Sequence, residues 1–234
     1  MEIVKKSKEE CGDRLEAMRQ LIFIISAFDK SLEKFRIPNE EKSSPKYFNS
    51  LVHACYLELF RTAAHILFLS YNGLYRNAFD NIRHALESIV QALYIDHRHP
   101  RASLDTKIEI LKEVEDKREY HALRLIDELK IGDKEKLKRE YKELSRIIHP
   151  SHKQIVATLT DIKEHKGVPA TVDCEEISRI YSSMEKMFDI FFFLFATYFP
   201  EVRESLKRNL DFNKYIEAHN LILLSFSLKT VKPQ

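Results

Sequence analysis

Residues 47–97, YFNSLVHACYLELFRTAAHILFLSYNGLYRNAFDNIRHALESIVQALYIDH, decide the fold class. From Tyr47 to Ser70, apolar side chains recur at helical spacing along one side: Phe48, Leu51, Val52, Cys55, Leu59, Ala63, Ile66 and Leu67. Leu57, Phe60 and Phe68 point in other directions. A helix that is apolar nearly all round is expected to lie buried at the centre of a domain. Ser70-Tyr71-Asn72-Gly73 then interrupts the pattern with residues that tolerate a left-handed backbone. A second helix is expected from about Leu74 to His97, with Leu74, Ala78, Ile82, Ala85, Leu86, Ile89 and Leu93 on its inner side. Two such helices across a short turn form an antiparallel helical hairpin.

Each helix of the hairpin also carries a polar line. Glu58, Arg61 and His65 fall at i, i+3 and i+7, and Arg76, Asp80, Arg83, Glu87 and Gln91 oppose the apolar set of the second helix. With the hairpin centred on Asn72-Gly73, Arg61 is level with Ile82 and His65 with Ala78. Both helices are so apolar elsewhere that Arg61, His65, Arg83 and Glu87 are expected to meet inside the bundle as one buried polar network. The alternative is a set of ordinary i,i+4 surface pairs.

Toward the N-terminus, Leu15, Met18, Ile22, Ile25, Leu32 and Phe35 recur at spacings of three, four and seven. This predicts a helix over about residues 8–34, and residues 1–36 are expected to pack as an N-terminal helix on a main bundle spanning 47–198. The polar stretch from Arg36 to Pro45, with two prolines, is an exposed crossing between them. Beyond the hairpin, Ser103 can cap a third helix with Leu104, Ile108, Leu111, Leu125 and Leu129 along one side, ending at Gly132. Asp133 can cap the next, where Leu137, Tyr141, Leu144 and Ile148 repeat; these charged helices belong at the periphery. A helix from Ser151 carries Ile155, Leu159 and Ile162. Asp173, with Glu176 three residues on, opens the strongest helix of the second half, with Ile177, Ile180, Met184, Phe188, Phe191, Leu194, Phe195 and Tyr198 facing inward and Pro200 ending it. The Phe191-Phe192-Phe193 run is interior payload. Residues 199–234, apolar at Leu221-Ile222-Leu223-Leu224, are expected to dock as a helical tail. The whole is an all-α, up-and-down bundle of about six to eight helices.

Composition agrees. The chain has 234 residues, 44% hydrophobic, but only 4 Gly and 7 Pro, too few for the turns of a β-sandwich. A net charge of +2, with cations interleaved among carboxylates, declares no broad nucleic-acid-binding face, so any RNA contact must be local. Cys11, Cys55 and Cys174 lie far apart, with no CxxC pair, and indicate neither a disulfide framework nor a structural zinc site. The most apolar run, Ile190 to Phe199, is too short to cross a bilayer, and the first residues lack a signal-peptide core, so cytoplasm is the expected location. Abundant Lys and Glu with only four Gln is a bias of heat-adapted proteins.

One stretch concentrates chemistry: Leu144-Ser145-Arg146-Ile147-Ile148-His149-Pro150-Ser151-His152. Pro150 should stop one helix at His149, and Ser151 can cap the next, with Gln154 completing a capping box. His152 then falls in a first turn, where free amides and the positive dipole end favour an anion and lower the basicity of an imidazole. Arg146, His149 and His152 are therefore the candidate catalytic residues, with Ser151 and Lys153 as candidate anion-binding groups. A polar inter-helix turn with two surface histidines is the plainer alternative. No phosphate-cradling GxxxxGK[ST] loop, Rossmann glycine pattern, GxSxG elbow or HExxH site occurs. Asp96, His97 and His99 beside Pro100 are too weak a pattern to assign a metal, and no cofactor is expected.

The hairpin residues Gly73-Leu74-Tyr75-Arg76-Asn77-Ala78, Arg83-His84-Ala85-Leu86-Glu87 and Ala92-Leu93-Tyr94, followed by Tyr141 to Ser151, resemble the divergent HEPN-like helical domains of abortive-infection and toxin systems. The likeness spans roughly residues 47–198. It implies a homodimeric bundle acting as a metal-independent endoribonuclease on RNA, with an Arg and a His four to six residues apart; Arg146 and His152, with five between them, match. Pro150 inside the motif and Ile147 after the arginine depart from the usual pattern. The competing expectation is a non-catalytic helical interaction or ligand-binding module.

Overall fold

Gly73 behaves as the hairpin requires. In the computed structural model its φ is 69°, the amide of Leu74 donates to the Leu69 carbonyl at 2.9 Å and that of Gly73 to Ser70 at 3.3 Å. This pair of backward bonds is a Schellman motif, and it satisfies carbonyls that the end of the helix would otherwise leave open. The structure describes residues 2–36, 48–115, 122–129, 131, 134–148 and 172–218. Among them are nine helices and no strand: α1 (Glu2–Arg36), α2 (Leu51–Tyr71), α3 (Tyr75–Arg98), α4 (Leu104–Glu115), α5 (Ala122–Glu128), α6 (Lys134–Ile148), α7 (Cys174–Tyr198), α8 (Pro200–Arg208) and α9 (Leu210–Ala218). The all-α bundle expected from periodicity is therefore the fold.

The hairpin α2–α3 is the most extensive helix pair, and α7 packs along α3, α1 and α2. Helix α7 is the true centre: from Met187 to Ala196 every residue is buried. Phe28 of α1 stacks on Phe192 at 4.4 Å between centroids and meets Phe195 edge-on at 5.2 Å, so the phenylalanine run welds α1 to α7. Tyr56 joins this cluster from α2 and donates its hydroxyl to Asp29 Oδ1 at 2.7 Å. The short helices α8 and α9 are pinned back onto α1 by Asn209, whose amide donates to the Ala27 carbonyl and to Ser31 Oγ at 2.9 and 2.8 Å.

Four expectations change. Helix α2 is not buried all round: Leu57, Phe60 and Phe68 are more than half exposed, as is Phe48 just before it, because only the side bearing Leu59, Ala63 and Ile66 meets α3 and α7. The helix expected from Ser103 to Gly132 is two helices, with Lys107, rather than Ile108, on the inner side of α4. With α8 as an additional short helix, the described residues hold nine rather than six to eight. Finally, Cys11 and Cys174 form a disulfide with Cα atoms 5.5 Å apart, bridging residues 163 apart in sequence. Closing so long a loop restricts the unfolded chain by an amount the loop-entropy relation puts at about 5 kcal/mol, at the upper end of what disulfides contribute.

The N-terminus of α2 holds the most buried charge. Ser50 caps the helix by accepting from the His53 amide, and Asp96 of α3 reaches the same turn, accepting from Ser50 Oγ at 2.7 Å and from the Val52 amide at 3.1 Å. Its other oxygen pairs with Lys107 Nζ at 2.7 Å, and that ammonium also donates to the Asn49 carbonyl. Asp96 is 0% and Lys107 1% exposed. Removing one partner of such a pair strands the other, at a cost of about 3 to 5 kcal/mol. Lys107→Met is expected to lower stability by about that amount in denaturant unfolding, while the double variant Lys107→Met with Asp96→Asn, which keeps an acceptor for Ser50 and Val52, recovers more than half. An unchanged midpoint for the single variant would show that Lys107 is solvated.

Candidate functional site

Among the described residues, helix α6 presents a basic groove that takes in a candidate catalytic residue, Arg146. Leu137, Tyr141 and Leu144 are buried and tie the helix to the bundle, which turns the residues between them outward. Glu135, Lys138, Arg139, Lys142, Glu143 and Arg146 line a shallow groove of about 480 Å³, four cations against two carboxylates. Lys138 is engaged by Asp127 and Glu135, and Glu143 by Lys186 of α7 at 2.7 Å. The Lys186 ammonium, with smaller help from Arg139 and Arg146, holds the Glu143 carboxyl below its usual range. Arg139 pairs with Glu140 at 4.0 Å, so the positive surplus rests toward Lys142 and Arg146. Arg146 is exposed in the last turn, where a cation also complements the helix dipole. His149, Ser151, His152 and Lys153 lie outside the described residues.

The proposed polar network divides. Arg61 is 82% exposed and pairs with Glu58 on its own helix at 3.2 Å, and His65 is exposed beside it. The residue heights along the hairpin do not help, because the 100° turn per residue points this line away from α3, on the same side as Leu57, Phe60 and Phe68. Arg83 and Glu87 do bond, Nε to Oε1 at 2.8 Å, but on the α6 side of α3 and at 41% and 29% side-chain exposure. The Glu87 carboxylate raises the Arg83 pKa, opposed by desolvation. Arg83→Met should therefore cost about 0.3 to 1 kcal/mol, the range of solvated pairs, rather than that of a buried charge.

Facing this pair, Tyr141 is buried, and its phenol is pushed up to about 12, first by burial and then by Glu87, with Arg83 and a hydrogen bond to Ser145 acting the other way. Asp96 is buried in its ion pair with Lys107, while His97 and His99 next to it are exposed. Among the described residues no group of three His, Cys, Asp or Glu side chains is placed to hold a metal.

Sequence reasoning missed the Asp96–Lys107 pair and the disulfide. The first had a signal: Lys107 interrupts the apolar stripe of Leu104, Leu111 and Val114, and a lysine there requires a buried carboxylate. The disulfide had none, since two cysteines at a separation of 163 carry no spacing rule.

Because the folded pKa of Tyr141 lies above the ordinary tyrosine value near 10, the native state holds a proton that the unfolded chain releases, so stability is complete below about pH 10 and falls as pH rises toward 12. Tyr141→Phe is expected to flatten part of that alkaline loss and to remove one late-titrating phenolate from the ultraviolet titration; an unchanged titration would place Tyr141 in water. No family model, curated protein or solved structure matches the chain.

Proposed function

We propose that the end of α6 is the RNA site of a HEPN-like, metal-independent endoribonuclease. The observation that carries this reading is the exposed Arg146 at the positive end of the α6 groove, three residues before His149 and six before His152. A guanidinium there suits a phosphodiester, since its planar fork holds two phosphate oxygens at once. One imidazole takes the proton from the ribose 2′-hydroxyl, that oxygen attacks the adjacent phosphorus, and the second imidazole protonates the leaving 5′-oxygen. Arg146 offsets the charge that gathers on the phosphoryl oxygens. Ser151 and Lys153 add anion contacts.

Cleavage of single-stranded RNA in the presence of EDTA tests the reading. His152→Ala is expected to reduce the rate by about two to four orders of magnitude and Arg146→Ala by about two to three, with helical circular dichroism unchanged. Wild-type activity in either variant would reject the assignment.

A second reading rests on a separate observation. Leu57, Phe60, Ala64 and Phe68 form an exposed stripe along α2, flanked by the Glu58–Arg61 pair. An interaction module would use this face, and a second copy of the chain fits it. Across a two-fold axis near Phe60, with the helices antiparallel, Glu58 comes level with Arg61 of the other copy, making reciprocal charge pairs beside an apolar strip. Leu57→Glu with Phe60→Glu should then convert a dimer to a monomer by light scattering. A wild-type monomer at all concentrations would remove both the stripe and the dimer from the reading.

A further inference from the structure

The Cys11–Cys174 bond joins two sulfurs in unlike surroundings. Cys11 is 3% exposed, set in α1 against the core, whereas Cys174 is the first residue of α7 and partly open to solvent. A thiol approaching from solution therefore reaches Cys174 first, and access is one of the factors that decides which sulfur of a disulfide is attacked. The backbone at Cys11 is also not helical, with φ −127° and ψ 22°, so α1 is kinked where the bond attaches.

The segment before that kink has little else to hold it. Between Val4 and Glu10 only Ser7 is buried, donating its hydroxyl to the Tyr71 carbonyl at 3.0 Å, with Lys8 lying over the Tyr71 ring. Past the kink the situation reverses: Leu15, Met18, Leu21, Ile24 and Phe28 are at 0% exposure, and Arg14 binds the Cys174 carbonyl and Ser178 Oγ. The packing of α1 on α7 past the kink thus has anchors of its own, while the first turns of α1 have few besides the bond. Segments with few buried contacts are the ones that open locally.

We propose that Cys174 is a thiol-exchange site, attacked by a small thiol of the glutathione class, and that opening the bond releases residues 4–10 from the bundle. The thiolate attacks Cys174 Sγ, the sulfur–sulfur bond breaks, and its electron pair leaves on Cys11 Sγ, which takes a proton from water. A mixed disulfide remains on Cys174. A second thiolate attacks the sulfur of the bound thiol, releasing the Cys174 thiolate, which is protonated in turn. Two small thiols are oxidised to their disulfide, and the protein bond is reduced by two electrons. The state of the arm then follows the thiol poise of its surroundings. Disulfides that persist mark oxidising compartments, whereas those in reducing ones are transient or redox-sensing.

The test uses the whole folded chain and glutathione itself. Oxidised wild-type protein is placed in reduced glutathione without denaturant, quenched by alkylation and mapped by mass spectrometry, with hydrogen exchange followed before and after. The bond is expected to open, with amide exchange over residues 4–10 rising tenfold or more and that over residues 15–32 unchanged. Separately, oxidised glutathione is expected to modify Cys174 in Cys11→Ser at least ten times faster than Cys11 in Cys174→Ser. Cys55, whose thiol is pushed up to about 12 chiefly by burial, serves as the internal reference and should stay unmodified. A bond that opens only in denaturant makes it a permanent staple and overturns the proposal. So does equal or faster modification of Cys11, or an arm whose exchange is indifferent to reduction; the wild-type measurements decide the matter even where a serine variant fails to fold.

Discussion

The arrangement of the hairpin and the helix that follows it depends on one buried ion pair. Asp96 of α3 reaches the start of α2, and its carboxylate is the acceptor for Ser50 and Val52 and the counter-ion of Lys107, all without access to water. A buried carboxylate is tolerated only when both oxygens are bonded and its charge is matched, and three helices must be in register for that to occur. The pair is therefore a constraint on geometry more than a source of net stability. It determines how α4 leaves the end of α3 and where α2 begins. The first turn of α2, with its positive dipole end, adds to the match.

Around this point the bundle is apolar and aromatic. Helix α7 supplies the interior, and α1 lies against it through Phe28 and the residues at the same face. Apart from Asp189 within α7, charge around this core lies toward the outside, densely on α6, where buried Leu137, Tyr141 and Leu144 alternate with cations. That alternation gives α6 two jobs that do not conflict. Its inner side closes over Arg83 and Glu87, and its outer side offers a positive groove ending at Arg146. The helix carrying the candidate chemistry is thus anchored by residues that take no part in it.

The sulfur bridge adds a constraint of another kind. It ties the thinly held beginning of α1 to the start of the central helix, far from the Asp96–Lys107 pair in the chain. The location of the chain bears on it directly: no helix among the described residues is long and apolar enough to cross a membrane, but that leaves the redox surroundings open, and it is those that decide whether the bridge stands.

By itself the sequence determined the all-α class, the Asn72-Gly73 hairpin, the capped start of α7 at Asp173 and the burial of its phenylalanines, because helical period, turn chemistry and caps are local properties of the chain. It also brought Arg146 to an exposed helix end, since Leu137, Tyr141 and Leu144 fix which side of α6 turns inward. Tertiary structure alone decided the rest. Which side of an almost wholly apolar α2 is covered depends on the neighbours available, so Phe60 and Phe68 are left exposed while Arg61 points to solvent. The partner of Lys107 and the pairing of Cys11 with Cys174 are contacts between distant residues. Periodicity says which side of a helix is apolar, but only the packing of the whole chain says what lies against it.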